Sequence, residues 1–350
     1  MTKATLPTNK KKTAFALSYL IFILLLLEGT SRIYWSTRKH VPFFASDIIL
    51  KSYYPELRKV MNKQVEKKNG RFDILLLGGS VLTKRHGNIK QLLEEKLTYR
   101  TRKEIKIFNV SDGGHTSLDS YYKYKNLQNK HFDLVVFYHA LNELRTNNCP
   151  PSFFKSDYSH YHWYKIVNEL DRHPLAAYIT FPFTFRFFTI KIKELNGSLE
   201  FLPRDSPRGE WLDYGREIKT AASFRTNLSG ILEIADRRKE PVLLMSYVSY
   251  VPENYSLAGF ENKELDYTLF QGAIEMWGKK ENIIAGINTH NKIIKELAGR
   301  YRASYIDQQK LMPKSGRYFN DICHFTCEGC NLFVDNMLDE ISKIMKDRKL

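Results

Sequence analysis

The chain has 350 residues, 43% hydrophobic and 26% charged, a globular balance that excludes a disordered or fibrous chain. Its 54 Lys and Arg against 38 Asp and Glu leave a formal charge of +16. The basic residues are dispersed and no nucleic-acid-binding motif accompanies them. The charge therefore reads as a solvated surface biased toward anionic envelopes, with no nucleic acid as partner.

The first element is apolar. Lys10, Lys11 and Lys12 precede TAFALSYLIFILLLL (Thr13 to Leu27), and Glu28, Gly29 and Arg32 follow. The run is shorter than the ~20 residues of a full membrane span. Ile33, Tyr34 and Trp35 lengthen it and supply an aromatic interface anchor. A cleaved signal peptide would use Gly29 and Ser31 as the small residues before the cut. An uncleaved signal-anchor over 13–35 would set Glu28 and Arg32 among the outer headgroups. The poor cleavage site and the aromatic cluster favour the anchor. Residues 1–12 are then a cytoplasmic basic tail, the span meets membrane lipid, and everything after it is extracytoplasmic, because the Lys-rich flank stays inside. With no internal repeat and no Ser/Gly/Pro-rich linker, a neck over 36–70, charged from Lys51 to Lys68, leads to one domain over 71–347.

Within that domain the apolar patterns alternate between two periods. FDILLLGG (Phe72 to Gly79) is a continuous apolar run ending in glycines, the mark of a buried parallel strand. Helical spacing follows from Asn88 to Arg100, then the strand IKIFNV, a helix over Leu118 to Lys130, and the strand FDLVVFYH (Phe132 to His139). The stretch 149–213 is an insertion without clear strands, rich in aromatics at YSHYHWY and YITFPFTFRFF. It reads first as a helical lid. An alternative rests the second stretch on the membrane, with Arg186, Lys191 and Lys193 at the headgroups. A helix from about Tyr214 to Arg238 precedes the strand EPVLLMSYV (Glu240 to Val248). SLAGFENKELDYTLFQGAIEMWGKK reads as a second lid-like loop with Trp277 near the site entrance. A helix over Ile283 to Tyr301, the short strand ASYID and a last helix over Cys327 to Met345 complete the chain. Strictly alternating strands and helices predict a three-layer α/β/α domain on a parallel sheet, with ligands bound in the loops after the strands.

Four of those loops carry polar groups. Ser80 follows two glycines after the first strand, a turn that exposes its hydroxyl and its N–H. NVSDGGHTS (Asn109 to Ser117) holds Gly113 and Gly114, suited to presenting backbone N–H groups to an anion. Asn142 in FYHALNELRTNN sits where its amide can donate to a developing oxyanion. Each alone is as easily an ordinary turn or helix cap. The fourth stretch, NDICHFTCEGC (Asn320 to Cys330), admits a tetrahedral zinc site from three Cys and a His, or an acid–histidine pair from Asp321 and His324.

Together the four stretches resemble the SGNH hydrolases, a branch of the GDSL-type lipases and esterases. The matching blocks are GGS with Ser80, NVSDGGHTS with Gly114, ALNE with Asn142, and DICH with Asp321 and His324, in the family's order from about Arg71 to Lys343. GINTHNKIIKELA and LMPKSGRYFNDICHFT are similar to segments of envelope-linked members. The sequence departs from the pattern at Gly79 (for Asp), Ser111 (for Gly), Ala140 (for Gly) and Glu143 (for Asp). The resemblance implies a flavodoxin-like fold and a membrane-anchored serine esterase with Ser80 as nucleophile, His324 as base and Asp321 as its orienting acid. It further implies an oxyanion hole from the N–H groups of Ser80 and Gly114 and the amide of Asn142, with no metal and no cofactor. The implied partner is an acylated carbohydrate or other small ester, most plainly an O-acetyl group on an envelope or extracellular glycan. An acyltransferase using the same residues and a silent envelope-binding protein are the competing functions. A disulfide from Cys149 to one of Cys323, Cys327 or Cys330, and four free thiols, both remain open.

Overall fold

The computed structural model describes residues 9–65, 70–198, 201–202 and 208–347. Residues 1–8 of the expected tail, 66–69 of the neck, and 199–200 and 203–207 of the insertion lie outside the described residues. By proximity the chain divides into two compact units, Met1–Pro55 with Ile166–Glu200, and Glu56–Lys165 with Phe201–Leu350.

The second unit is built on five strands: β1 (Phe72–Gly78), β2 (Ile105–Asn109), β3 (Leu134–Tyr138), β4 (Val242–Met245) and β5 (Ser304–Ile306). They form one sheet in the order β2-β1-β3-β4-β5 with every pairing parallel. β1 is buried along its whole length, as its unbroken apolar sequence requires when both sheet faces are covered. Ile74 and Leu76 point to one side and pack in a core with Leu93 and Leu97 of α2 (Ile89–Thr101) and Met337 and Ile341 of α9 (Cys327–Asp347). On the opposite face the next residues in the alternation take over, and Phe137 meets Phe224 of α7 (Thr220–Arg238) at 6.1 Å between ring centroids. α3 (Ser117–Lys125) packs on α7, and α7 on α8 (Lys280–Tyr301). The predicted α/β three-layer architecture is what forms.

The sheet order reverses direction at β1, which has β2 on one side and β3 on the other. A crevice opens at such a switch point, beyond the carboxyl ends of the two strands. Gly78 at the end of β1 pairs with Tyr138 at the end of β3. Ser80 and Asn142 therefore leave the same end of the sheet, the latter at the head of α4 (Glu143–Asn147).

Two helices end or begin more than a turn away from the sequence expectation. α3 stops at Lys125 because Asn126 caps it, donating its N–H back to Tyr122 O, so residues 126–129 form a turn. α7 begins at Thr220, since Gly209–Arg216 winds as a tighter 3₁₀ segment.

The first unit holds α1 (Asn9–Lys39), whose stretch Lys12–Lys39 is long and apolar enough to cross a membrane and buries none of its apolar window. Leu17, Phe22, Leu25 and Ile33 are among its exposed residues. The chain beyond it is more structured than a bare neck: Ile48–Tyr53 is a short helix with Ile48, Ile49 and Leu50 buried. The insertion supplies α5 (His162–Arg172), whose latter part falls in this unit, and α6 (Phe181–Leu195). Glu28 of α1 accepts from the backbone N–H groups of Thr180 (2.7 Å) and Phe181 (3.1 Å), which start α6. A carboxylate there satisfies orphan donors and meets the positive end of the helix dipole. Ser31 bonds Thr180 (2.6 Å) and Thr184 (2.7 Å), and the Trp35 indole N–H donates to Thr184 Oγ1 at 2.7 Å.

Candidate active site

β1 ends in Gly78 and Gly79, and the chain turns at once into a short 3₁₀ segment over Ser80–Leu82. Added bulk at either glycine would crowd a neighbouring side chain. A Cβ at Gly78 would meet Leu82 Cδ1 at 2.5 Å, and one at Gly79 would meet Asn142 Nδ2 at 2.8 Å and His115 O at 3.5 Å. The close approach at Gly79 brings the loops after β1, β2 and β3 together one residue before Ser80. Gly114 has φ +70°, a left-handed conformation that favours glycine.

Ser80 Oγ lies 2.8 Å from His324 Nε2, and His324 Nδ1 lies 2.7 Å from Asp321 Oδ2. Asp321 is fully buried, and its other oxygen accepts from the backbone N–H groups of Cys323 (2.9 Å) and His324 (2.8 Å). Those bonds are local consequences of the Asp-x-x-His spacing: a tight turn folds the backbone donors onto the side chain that opens it. A carboxylate so held keeps the proton of a neutral imidazole on Nδ1, leaving Nε2 as the acceptor toward the serine. Burial penalises the charged imidazole, but Cys323 and the hydrogen bond to Asp321 outweigh it and raise the His324 pKa above the ordinary histidine range.

Another Ser–His contact exists, Ser120 Oγ to His139 Nε2 at 2.7 Å. Both residues are sealed in the interior, and burial pushes the His139 pKa down to about 3. A site must admit substrate. Ser80 is partly open and Ser120 is not.

On the other side of Ser80 sits Asn142. Its Nδ2 donates to His115 O at 2.8 Å, and its Oδ1 accepts from Trp277 Nε1 at 3.1 Å. Glu143, which stands where the family resemblance expects an Asp, is fully buried and accepts from Ser117 N–H at the start of α3, so it ties the third loop to the second. Burial raises its pKa to about 7.

No family model and no curated protein matches the chain. Among solved structures it is similar to a lipase/acylhydrolase from Enterococcus faecalis (16% identity, 78% of this chain and 96% of that one, TM-score 0.41). It is also similar to a carbohydrate acetylesterase family member from Sinorhizobium meliloti (8%, 79% and 99%, TM-score 0.44). A third is an acetyl xylan esterase from Geobacillus stearothermophilus (11%, 77% and 94%, TM-score 0.43). Likeness at this level says nothing of chemistry.

The residues singled out from the sequence divide into two groups. Ser80, Asp321 and His324 form one hydrogen-bonded chain, while Asn142 and the His115 carbonyl, one residue past Gly114, close on Gly79. Two further residues, His86 and Gln271, had no signal in the sequence. His86 stacks on His324, ring centroids 3.9 Å apart at 16°, and its Nδ1 lies 3.0 Å from Gln271 Oε1. Burial and then the His324 charge lower its pKa. Trp277, expected near the entrance, is instead buried beneath Asn142.

The cysteines decide between two open alternatives. All four are free thiols, so no disulfide from Cys149 forms. Cys149, just past the end of α4, is buried and directs its Sγ to Thr146 O at 3.7 Å. Cys330 packs against Gly87, where a Cβ would come within 2.5 Å of its Sγ. Among the described residues Asp321, Cys323 and His324 are the one group whose ligand atoms lie within 4.8 Å of one another. The set fits a zinc ion poorly. Asp321 Oδ2 and His324 Nδ1 already engage each other, Nε2 faces Ser80, and Cys327 and Cys330 contribute no fourth ligand to the group.

Proposed function

We propose that this chain is a serine ester hydrolase of the SGNH type. The observation that carries the reading is the continuous chain Ser80 Oγ–His324 Nε2 (2.8 Å) and His324 Nδ1–Asp321 Oδ2 (2.7 Å), opening at the switch point of a parallel sheet. Ser80 attacks the ester carbonyl as His324 takes its proton, and the carbonyl oxygen becomes an oxyanion. The N–H groups of Ser80 and Gly114 and the Asn142 amide receive that charge, each donor of this kind contributing about 3 kcal/mol where it has been removed elsewhere. Collapse expels the alcohol, protonated by the imidazolium, and leaves an acyl group on Ser80. Water activated by His324 then releases the acid. No metal or cofactor is called on in this sequence.

The substrate we infer is an acyl ester of a carbohydrate, with O-acetyl as the acyl group. Polar and aromatic groups beside His324 support it, the stacked His86 and the exposed Gln271, and the partly exposed Trp163 ring lies 5.7 Å from that of His115. Such a rim suits a sugar better than a long alkyl chain.

We further infer that α1 stays attached as a membrane anchor, with the active-site unit outside the cytoplasm. The support is its integration into the fold. Cleavage after Ser31 would remove Glu28, the cap of α6, and Ser31 itself, and would strip the Thr180 hydroxyl of its partners. A signal sequence that is discarded has no reason to be so built in. Leu175, Tyr178, Ile179 and Phe185, exposed beside these contacts, extend the apolar surface of α1 at the level where the outer headgroups would lie.

The test is an ester series from acetyl to octanoyl on the full-length chain, followed by an acetylated glycan. The expected result is fastest turnover with acetyl and release of free acetate. Transfer of acetyl to an added glycan without net release would make the chain an acyltransferase. Failure on every ester would overturn the reading.

A further inference from the structure

The orientation of an asparagine amide is decided by its partners, since its oxygen and nitrogen are nearly the same size. At Asn142 both partners are unambiguous. The His115 carbonyl only accepts, so the amide nitrogen must face it, at 2.8 Å. The Trp277 indole N–H only donates, so the amide oxygen must face it, at 3.1 Å. A flipped amide would set oxygen against oxygen and N–H against N–H in a corner where both side chains are buried. One of the two amide protons is spent on His115 O. The other is left to donate beside Gly79, whose Cβ position lies 2.8 Å from Asn142 Nδ2.

The indole is itself held from several directions. The Arg145 guanidinium lies 5.1 Å from its ring centroid, and a Cβ at Gly272 would come within 3.2 Å of its Cη2. Its carbonyl accepts from the Asn148 side chain. The next residue, Gly278, has φ +145°, a conformation other residues rarely adopt, and a Cβ there would meet Asn148 Oδ1 at 2.9 Å. The chain thus places one rigid donor, 135 residues away in sequence, against the oxygen of Asn142.

We propose that Trp277 is a positioning residue, whose indole N–H fixes the Asn142 amide with its nitrogen toward the oxyanion. This rests on the ester-hydrolase reading above and adds to it a residue that touches neither substrate nor the reacting atoms. Its effect is preorganisation: a donor already aimed costs no reorientation when charge develops.

The experiment compares wild type with Trp277→Phe and with a chain carrying benzothienylalanine at 277, where sulfur replaces the N–H and ring size is kept. The second variant answers the objection that Phe leaves a void. Both should lower kcat about three- to tenfold, the range for losing one neutral hydrogen bond, with KM unchanged. In the Asn142→Ala background the same changes should cost nothing further, because the group being aimed is gone. A kcat for the benzothienyl chain equal to wild type, a loss seen in KM instead, or a full additional loss on Asn142→Ala would each overturn the proposal. Failure of the ester-hydrolase reading looks different: wild type itself would then turn over no ester.

Discussion

The two sides of Ser80 are built in opposite ways. On the base side, Asp321 and His324 are three residues apart, and the turn between them supplies both backbone donors to Asp321. On the oxyanion side, Gly79, His115, Asn142 and Trp277 come from four segments, with Asn142 27 residues from His115 and 135 from Trp277. The first is a local device that any fold presenting the turn would reproduce. The second exists only when the sheet has assembled, so it reports on tertiary structure as much as on chemistry.

Removing the base side or the nucleophile should have the largest effect. Ser80→Ala and His324→Ala are each expected to abolish ester hydrolysis while thermal unfolding stays near wild type, because members of a coupled pair fail together. Near-normal turnover in either would break the assignment of the local turn. Asn142→Ala should lower kcat by ~10²–10³ with little change in KM, as for a contact made only in the transition state. A change confined to KM would move Asn142 from the oxyanion side to substrate binding.

The pH profile sharpens the contrast. As a general base His324 would work only once deprotonated, and Asp321 helps to raise its pKa above the usual histidine value. The acid limb of kcat/KM should therefore lie above the ordinary range near 6.5. Asp321→Asn should lower the rate and shift the limb to lower pH, measured on the same ester. A limb that does not move would mean that Asp321 only holds the turn.

Which parts were legible in the sequence follows from the same division. The unbroken apolar runs of β1 and β3 announced a parallel sheet covered on both faces, and the glycines after β1 announced the turn at Ser80. DICH was readable because its contacts are local. His86 and Trp277 were not, since nothing in VLTKRHG or EMWGKK says that one ring will stack on His324 and the other lie under Asn142. The docking of α6 on α1 was equally silent. Glu28 looked like a headgroup contact, and only the folded chain reveals it as a helix cap.

A smaller effect is expected at Glu143, where the oxyanion side is tied together. Its folded pKa of about 7 exceeds the unfolded carboxylate value, so it binds a proton more tightly in the native state. Stability is thus fullest below the unfolded pKa and declines as pH rises through about 7. Glu143→Gln should flatten that decline, on the order of 3 kcal/mol across the interval. Denaturant titrations of both chains at pH 5 and pH 8 measure it. Parallel pH dependence in the two would mean that another group carries the decline.

The central claim is that Ser80 is a nucleophile activated by His324. The most direct measurement is labelling of the full-length chain with a fluorophosphonate, with the modified residue mapped by mass spectrometry. One adduct on Ser80, absent in Ser80→Ala and strongly slowed in His324→Ala, is the predicted result. No adduct on the folded wild-type chain, or an adduct on another residue that persists in Ser80→Ala, would contradict it.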